Sequence, residues 1–92
     1  MMRIRWSPAS AFDLARLYEF LANVAPRAAA RNIDSIIMAA EKLPDYPRAG
    51  HMLENYLPRD VCSLIAGDYE VRYEIDGEWL IVLRVWHTRE DR

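Results

Sequence analysis

The chain is poor in the residues that small domains use as staples. One cysteine, Cys62, stands among 92 residues. That excludes an internal disulfide and suits a reducing cytoplasm. With only His51 and His87 beside it, a structural zinc site lacks ligands, so neither a metal nor a cofactor is expected. No apolar run approaches the ~20 residues of a membrane span, and the N-terminus has no secretory h-region. A cytoplasmic protein with no membrane partner is the expectation.

A cationic excess is also missing. Fourteen acids oppose twelve bases, for a net charge of -2. A general nucleic-acid binder draws most of its affinity from neutralising phosphates and shows a basic surplus. Among the bases only Lys42 is lysine and the rest are arginine. Guanidinium groups favour fixed, bidentate contacts with carboxylates over a diffuse cationic coat, although a GC-rich genome would leave the same bias. What is present is a globular composition, 52% apolar and 28% charged, over a length that fits one domain spanning residues 1–92.

Residues 3–6, "RIRW", alternate and predict a short strand with Ile4 and Trp6 inward. Ser7 before Pro8 is a helix-start signal, and Ser10 with Asp13 offers a second capping box one turn on. Leu14, Leu17, Tyr18, Leu21 and Val24 then form one helical stripe. Pro26 ends that helix and opens another, whose stripe is Ile33, Ile36, Ile37, Ala40 and Leu43, and which Pro44 and Pro47 stop. Residues 44–60 read as a loop. Three strands follow at 61–66, 69–75 and 79–87, joined by turns at Gly67-Asp68 and Asp76-Gly77. The order β-α-α-β-β-β predicts an α+β domain, a helical hairpin packed on a mostly antiparallel four-stranded sheet.

Two registers are open for the last hairpin. A two-residue Asp76-Gly77 loop sets Arg72 against Ile81 and puts Arg84 on the other face, opposite Tyr69. A loop that includes Glu78, or a bulge, sets Arg84 against Glu70 and gathers Arg72, Val82 and Arg84 on one face. The second separates apolar from charged residues better. It predicts Tyr69, Val71, Tyr73, Ile75, Trp79, Ile81, Leu83 and Val85 beneath the helices. Glu70, Arg72, Glu74, Leu80, Val82, Arg84 and Trp86 then lie outside, either as a binding face or as a solvated surface of cross-strand ion pairs.

Three stretches carry a resemblance. "SPASAFDLARLYEFL" is similar to the pattern s-P-x-A-x-x-D-L-x-x-I, "LPDYPRAG" to L-x-x-x-P-x-x-G, and "YEVRYEIDGEWLIVLRVWHTREDR" to Y-x-I-x-Y-x-I-x-x-x-x-I-x-I-L-x-V-x-H-x-R. In that order they resemble the RelE/ParE superfamily of bacterial toxins. The resemblance implies a small toxin neutralised by a cognate antitoxin, ParD-like or similar. RelE-like members are ribosome-dependent mRNA endonucleases, and ParE-like members act on DNA gyrase.

RelE-like nucleases often read R-L-V-Y on the middle of the last three strands, with the arginine contributing to catalysis. This chain reads "EVRY", so Glu70 stands at that place. A carboxylate repels the phosphate it would need to stabilise. The resemblance and the acidic balance together point to the ParE-like branch, a toxin that binds and does not cut. If the protein is a nuclease, its cast is Arg72, Arg84, His87, Arg89 and Glu90, with His87 as general acid or base. His87 can equally be a strand-end residue packed on a neighbour. For partner contacts the candidates are Arg59, Arg72, Trp79, Leu80, Arg84, Trp86, Arg89 and Arg92, chosen because tryptophan and arginine dominate binding hot spots. A toxin fold that has lost toxicity and serves as an interaction module is the third possibility.

Overall fold

The computed structural model describes residues 2–90. Strand β1 (Arg3–Trp6) leads into helices α1 (Pro8–Ala22) and α2 (Pro26–Glu41). Strands β2 (His51–Met52), β3 (Asp60–Ala66), β4 (Tyr69–Asp76) and β5 (Trp79–His87) complete the fold. The sheet runs β1-β5-β4-β3-β2, with β1 parallel to β5 and the other pairs antiparallel. It therefore has five strands where the sequence predicts four. The extra strand lies in the predicted loop 44–60, which also holds a 3-10 turn at Glu54–Tyr56. Two residues are too few to show a period of two, so only pairing with β3 reveals β2.

Ser7 is the N-cap of α1. Its side chain accepts the Ser10 N–H at 3.0 Å, and Pro8 occupies the first turn. The second capping box does not form, because the Asp13 side chain is buried and engaged elsewhere. Leu17 is buried, with Leu14 and Leu21 packed against the core, as the stripe predicts, whereas Tyr18 is exposed. Val24 is 83% exposed. It follows the last turn of α1, so helical spacing no longer governs where it points. In α2, Ile36 and Ala40 are buried, and Leu43 is buried just beyond the helix.

The last hairpin takes neither predicted register. Asp76 pairs with Trp79 across a Gly77-Glu78 turn, and Tyr73 pairs with Val82. Gly77 has a φ of +61°, as does Gly67 in the preceding hairpin. A glycine at the first central position suits the II′ turn, whose twist matches that of its strands. The register then shifts between Tyr73 and Arg72, so that Arg72 opposes Arg84, Val71 opposes Val85 and Glu70 opposes Trp86. Leu83 is the extra residue of a β-bulge.

The bulge reverses the inward parity of β5 halfway along. Leu80 and Val82 point into the core before it, and Val85 after it, all fully buried with Val71 and Tyr73. Trp79 and Ile81, predicted beneath the helices, lie on the outer face instead. An unbroken alternation would bury only one parity, whereas the bulge lets both halves contribute to one core.

Candidate functional site

Strand β1 covers the outer edge of β5 only as far as Trp6–Val82. Beyond that point side chains replace the missing strand. The Ser7 hydroxyl donates to the Leu83 carbonyl at 2.9 Å, and Asp13 Oδ2 accepts the Val85 N–H at 2.9 Å. Glu90 Oε1 accepts the His87 N–H at 2.8 Å. A bare edge would template pairing with another chain. Here its polar groups are taken one by one.

Asp13 joins the two elements that matter most. Its carboxylate receives Arg84 Nε at 2.8 Å and Nη2 at 3.0 Å, with Arg16 at 3.6 Å. Arg16 also donates to Glu90 Oε2 at 2.8 Å. Burial would raise the Asp13 pKa, but the bonds from Arg84 and the Val85 N–H and the charges of Arg84 and Arg16 outweigh it. The carboxyl sits below its ordinary value.

On the helix side, the end of β5 opens into a groove of about 710 Å³ between α1, α2 and the β4–β5 end. Leu17, Phe20, Leu21 and Tyr69 supply apolar walls, and His87 and Arg89 line one side. The His87 ring meets Tyr69 edge-on at 5.3 Å, and its Nδ1 accepts the Arg89 N–H at 3.1 Å. His87 thus has the packed strand-end environment that its sequence position allows. Phe20 is 72% exposed at the rim, and Phe12, two turns earlier on α1, is also exposed.

The opposite face of the sheet carries arginines stacked on aromatic rings. Arg72 and Arg84 flank Trp86 at 4.6 and 5.2 Å. Arg72 and Arg59 also sit over Tyr56, both at 5.8 Å. Arg3 and Arg5 flank Trp79 at 4.5 and 5.4 Å. Cation–π contacts of this kind hold flexible arginines in place. Arg72 binds Glu70 at 2.7 Å, and Arg59 binds Glu74 at 2.9 Å. The hydrogen bonds from Arg59 and its charge hold the Glu74 carboxyl below its usual range, against smaller opposing effects of burial and of the Asp60 charge.

The predicted residues therefore separate. Arg59, Arg72, Trp79 and Trp86 share the outer face, His87, Arg89 and Glu90 belong to the helix side, and Arg84 lies over Trp86 while its guanidinium holds Asp13 of α1. Leu80 is not a surface anchor: it is fully buried in the core, because the turn closes one residue later than predicted. Arg92 lies outside the described residues. Sequence reasoning missed Asp13, Arg3, Arg5 and Tyr56. A signal for Asp13 existed, since it sits one turn before Leu17 on the buried side of α1. Among the described residues no group of three or more His, Cys, Asp or Glu side chains could hold a metal ion. Nor is any helix there long and apolar enough to cross a membrane.

With this geometry in view, residues 4–92 match the model of the ParE toxin of the type II toxin–antitoxin system parDE. The chain belongs to the ParE toxin family. It is 29% identical to Toxin RelE3 of Caulobacter vibrioides, over 100% of both chains. It is similar in fold to a chain of the chromosomal ParDE system from P. aeruginosa, with a TM-score of 0.81 and 20% identity over 95% of this chain and 96% of that one. A chain of the RelBE2 toxin–antitoxin complex from Mycobacterium tuberculosis gives a TM-score of 0.61 and 24% identity over 94% and 96%. These two likenesses concern the fold alone. As a ParE-family member the protein is the toxin of a type II toxin–antitoxin pair.

Proposed function

We propose that this toxin acts by occupying DNA gyrase and does not cut messenger RNA, and that a cognate ParD-like antitoxin holds it inactive. One observation carries the reading: the side chains a nuclease would need are dispersed, with Arg72 across the sheet from His87 and Arg89, and Arg84 locked onto Asp13 of α1. His87 and Arg89 line the helix-side groove, whereas Arg72 stacks on Trp86 outside. Cleavage by an attacking 2′-OH needs the acid or base within hydrogen-bond reach of the phosphate that the cation stabilises. Arg72 and Arg84 already hold carboxylates, Glu70 and Asp13. Glu70, at the place where the resemblance puts a catalytic arginine, supplies charge of the wrong sign.

A second reading has its own support, since the 29% identical relative carries the name RelE3. It is ribosome-dependent cleavage of mRNA. Purified toxin should be tested in parallel on gyrase supercoiling and on ribosomes translating a defined message. Inhibited supercoiling with an intact message is the expected result, unchanged in His87→Ala. Message cleavage that disappears in His87→Ala and Arg89→Ala, with supercoiling unaffected, would establish the nuclease instead. Inactivity in both assays, with normal growth on expression without antitoxin, would identify a non-toxic interaction module.

A further inference from the structure

We infer that the exposed stripe of α2 packs antiparallel on the same stripe of a second copy of this chain, forming a weak, salt-sensitive homodimer held by reciprocal ion pairs. The inference concerns a surface that the target question leaves aside, and it holds whichever macromolecule the toxin arrests.

Helix α2 turns Ala29, Ile36 and Ala40 into the core. Arg27, Arg31, Asp34, Met38 and Glu41 lie on its other side, all exposed, and Met38 keeps 59% of its surface open. Their spacing is four, three, four and three residues. That alternation keeps a seam straight along a helix that packs on another helix. Ala30, also exposed, borders the seam.

Charge along the seam is segregated. Its N-terminal half holds Arg27 and Arg31, and its C-terminal half holds Asp34 and Glu41. None of these four forms an ion pair among the described residues. Arg31 and Asp34 are spaced to meet at i and i+3, yet they stay apart. A parallel second copy would set arginine on arginine and acid on acid. An antiparallel copy, turned about a two-fold axis through the middle of the helix, sets Arg27 against Glu41 and Arg31 against Asp34, each pair formed twice. Met38 then falls opposite Ala30 of the second copy, a large side chain over a small one, which lets the helices approach. Lys42, at the C-cap, is the one base at the acidic end and is outweighed there by Glu41 and Asp45.

Other occupants fit less well. The four charges cancel, so the seam offers no cationic track for nucleic acid. Met38 is its only large apolar side chain, too little for the core of a permanent complex. Two helices about 24 Å long bury less than a standard interface, which points to a dissociation constant on the order of 100 μM.

Sedimentation equilibrium of the purified chain tests this at protein concentrations from about 10 to about 500 μM. The parent should pass from monomer to dimer over that range in about 50 mM salt. Raising the salt to about 0.5 M should weaken the dimer about fivefold, because exposed pairs are screened. Arg27→Glu with Arg31→Glu makes the seam wholly acidic, and Asp34→Arg with Glu41→Arg makes it wholly basic. Each double variant should self-associate at least about tenfold more weakly than the parent. Mixed together, the two should associate again at about the parent's strength, since every contact regains its opposite charge. Both should melt within a few degrees of the parent, because the substituted side chains are exposed and the new charges at the helix ends suit the macrodipole. A parent that stays monomeric throughout would overturn the inference. So would double variants that dimerise like the parent, which would assign self-association to another face, or a mixture that fails to restore the dimer. None of these outcomes depends on the supercoiling or cleavage assays.

Discussion

Two tryptophans on the outer face, Trp86 and Trp79, each have a pair of arginines over the ring. They differ in what neutralises the cations. Around Trp86, Arg72 has Glu70 and Arg84 has Asp13, and both acids are buried. Around Trp79, Arg3 and Arg5 have no acid among the described residues. The first cluster is built into the fold, since the acid that holds Arg84 also closes the strand edge at Val85. The second leaves two cations available beside an open edge. Stacked arginines alone therefore do not mark a binding site, and the distribution of carboxylates tells fold from contact surface.

That contrast can be broken, most strongly at Asp13. Asp13→Ala should lower unfolding free energy by about 1–3 kcal/mol, because the buried Val85 N–H loses its acceptor. Urea denaturation checks the loss, and amide exchange at Val85 checks its cause. Glu70→Gln should cost less, about 1 kcal/mol, since the amide fills the same space and can still accept a bond from Arg72.

Acid should act on the first cluster and spare the second. The Asp13 pKa is lowered on folding from its ordinary 3.8. Its contribution to stability is therefore complete above that value and is lost as pH falls through the lower, folded value. Urea midpoints measured from neutral pH down past 3.8 should fall more steeply for the parent than for Asp13→Asn. Smallest of all is the effect at Trp79. Arg3→Ala and Arg5→Ala should each leave the melting temperature within about 2 °C of the parent, as surface substitutions that orphan no buried group. A larger drop would show that the Trp79 cluster also belongs to the scaffold.

Much of the frame was legible before the structure. Ser7-Pro8 and Pro26 mark where the helices begin, because caps and proline act within one turn. The clean alternation from Tyr69 to Ile75 gives the inward face of β4. Legibility failed where one residue changed its neighbours' parity. Nothing in "WLIVLRVWH" announces that Leu83 is the extra residue, since a strand apolar on both sides looks the same in either phase. Leu80 and Trp79 exchange places for a different reason, because the turn closes one residue later than the sequence predicts. Strand parity also sets His87 and Arg72 on opposite faces of the sheet, which their nearness in the shared pattern does not show.

The sequence by itself determined the order of the longer elements and the buried stripes of the helices. These depend on local geometry and residue identity, which are complete in the chain. The tertiary structure alone decided which cations are free. Asp13 reaches Arg84 across a sequence separation of 71, and Arg3 reaches Trp79 only because β1 lies beside β5. Pairings at such separations are set by the packing of whole elements, and no local pattern encodes them.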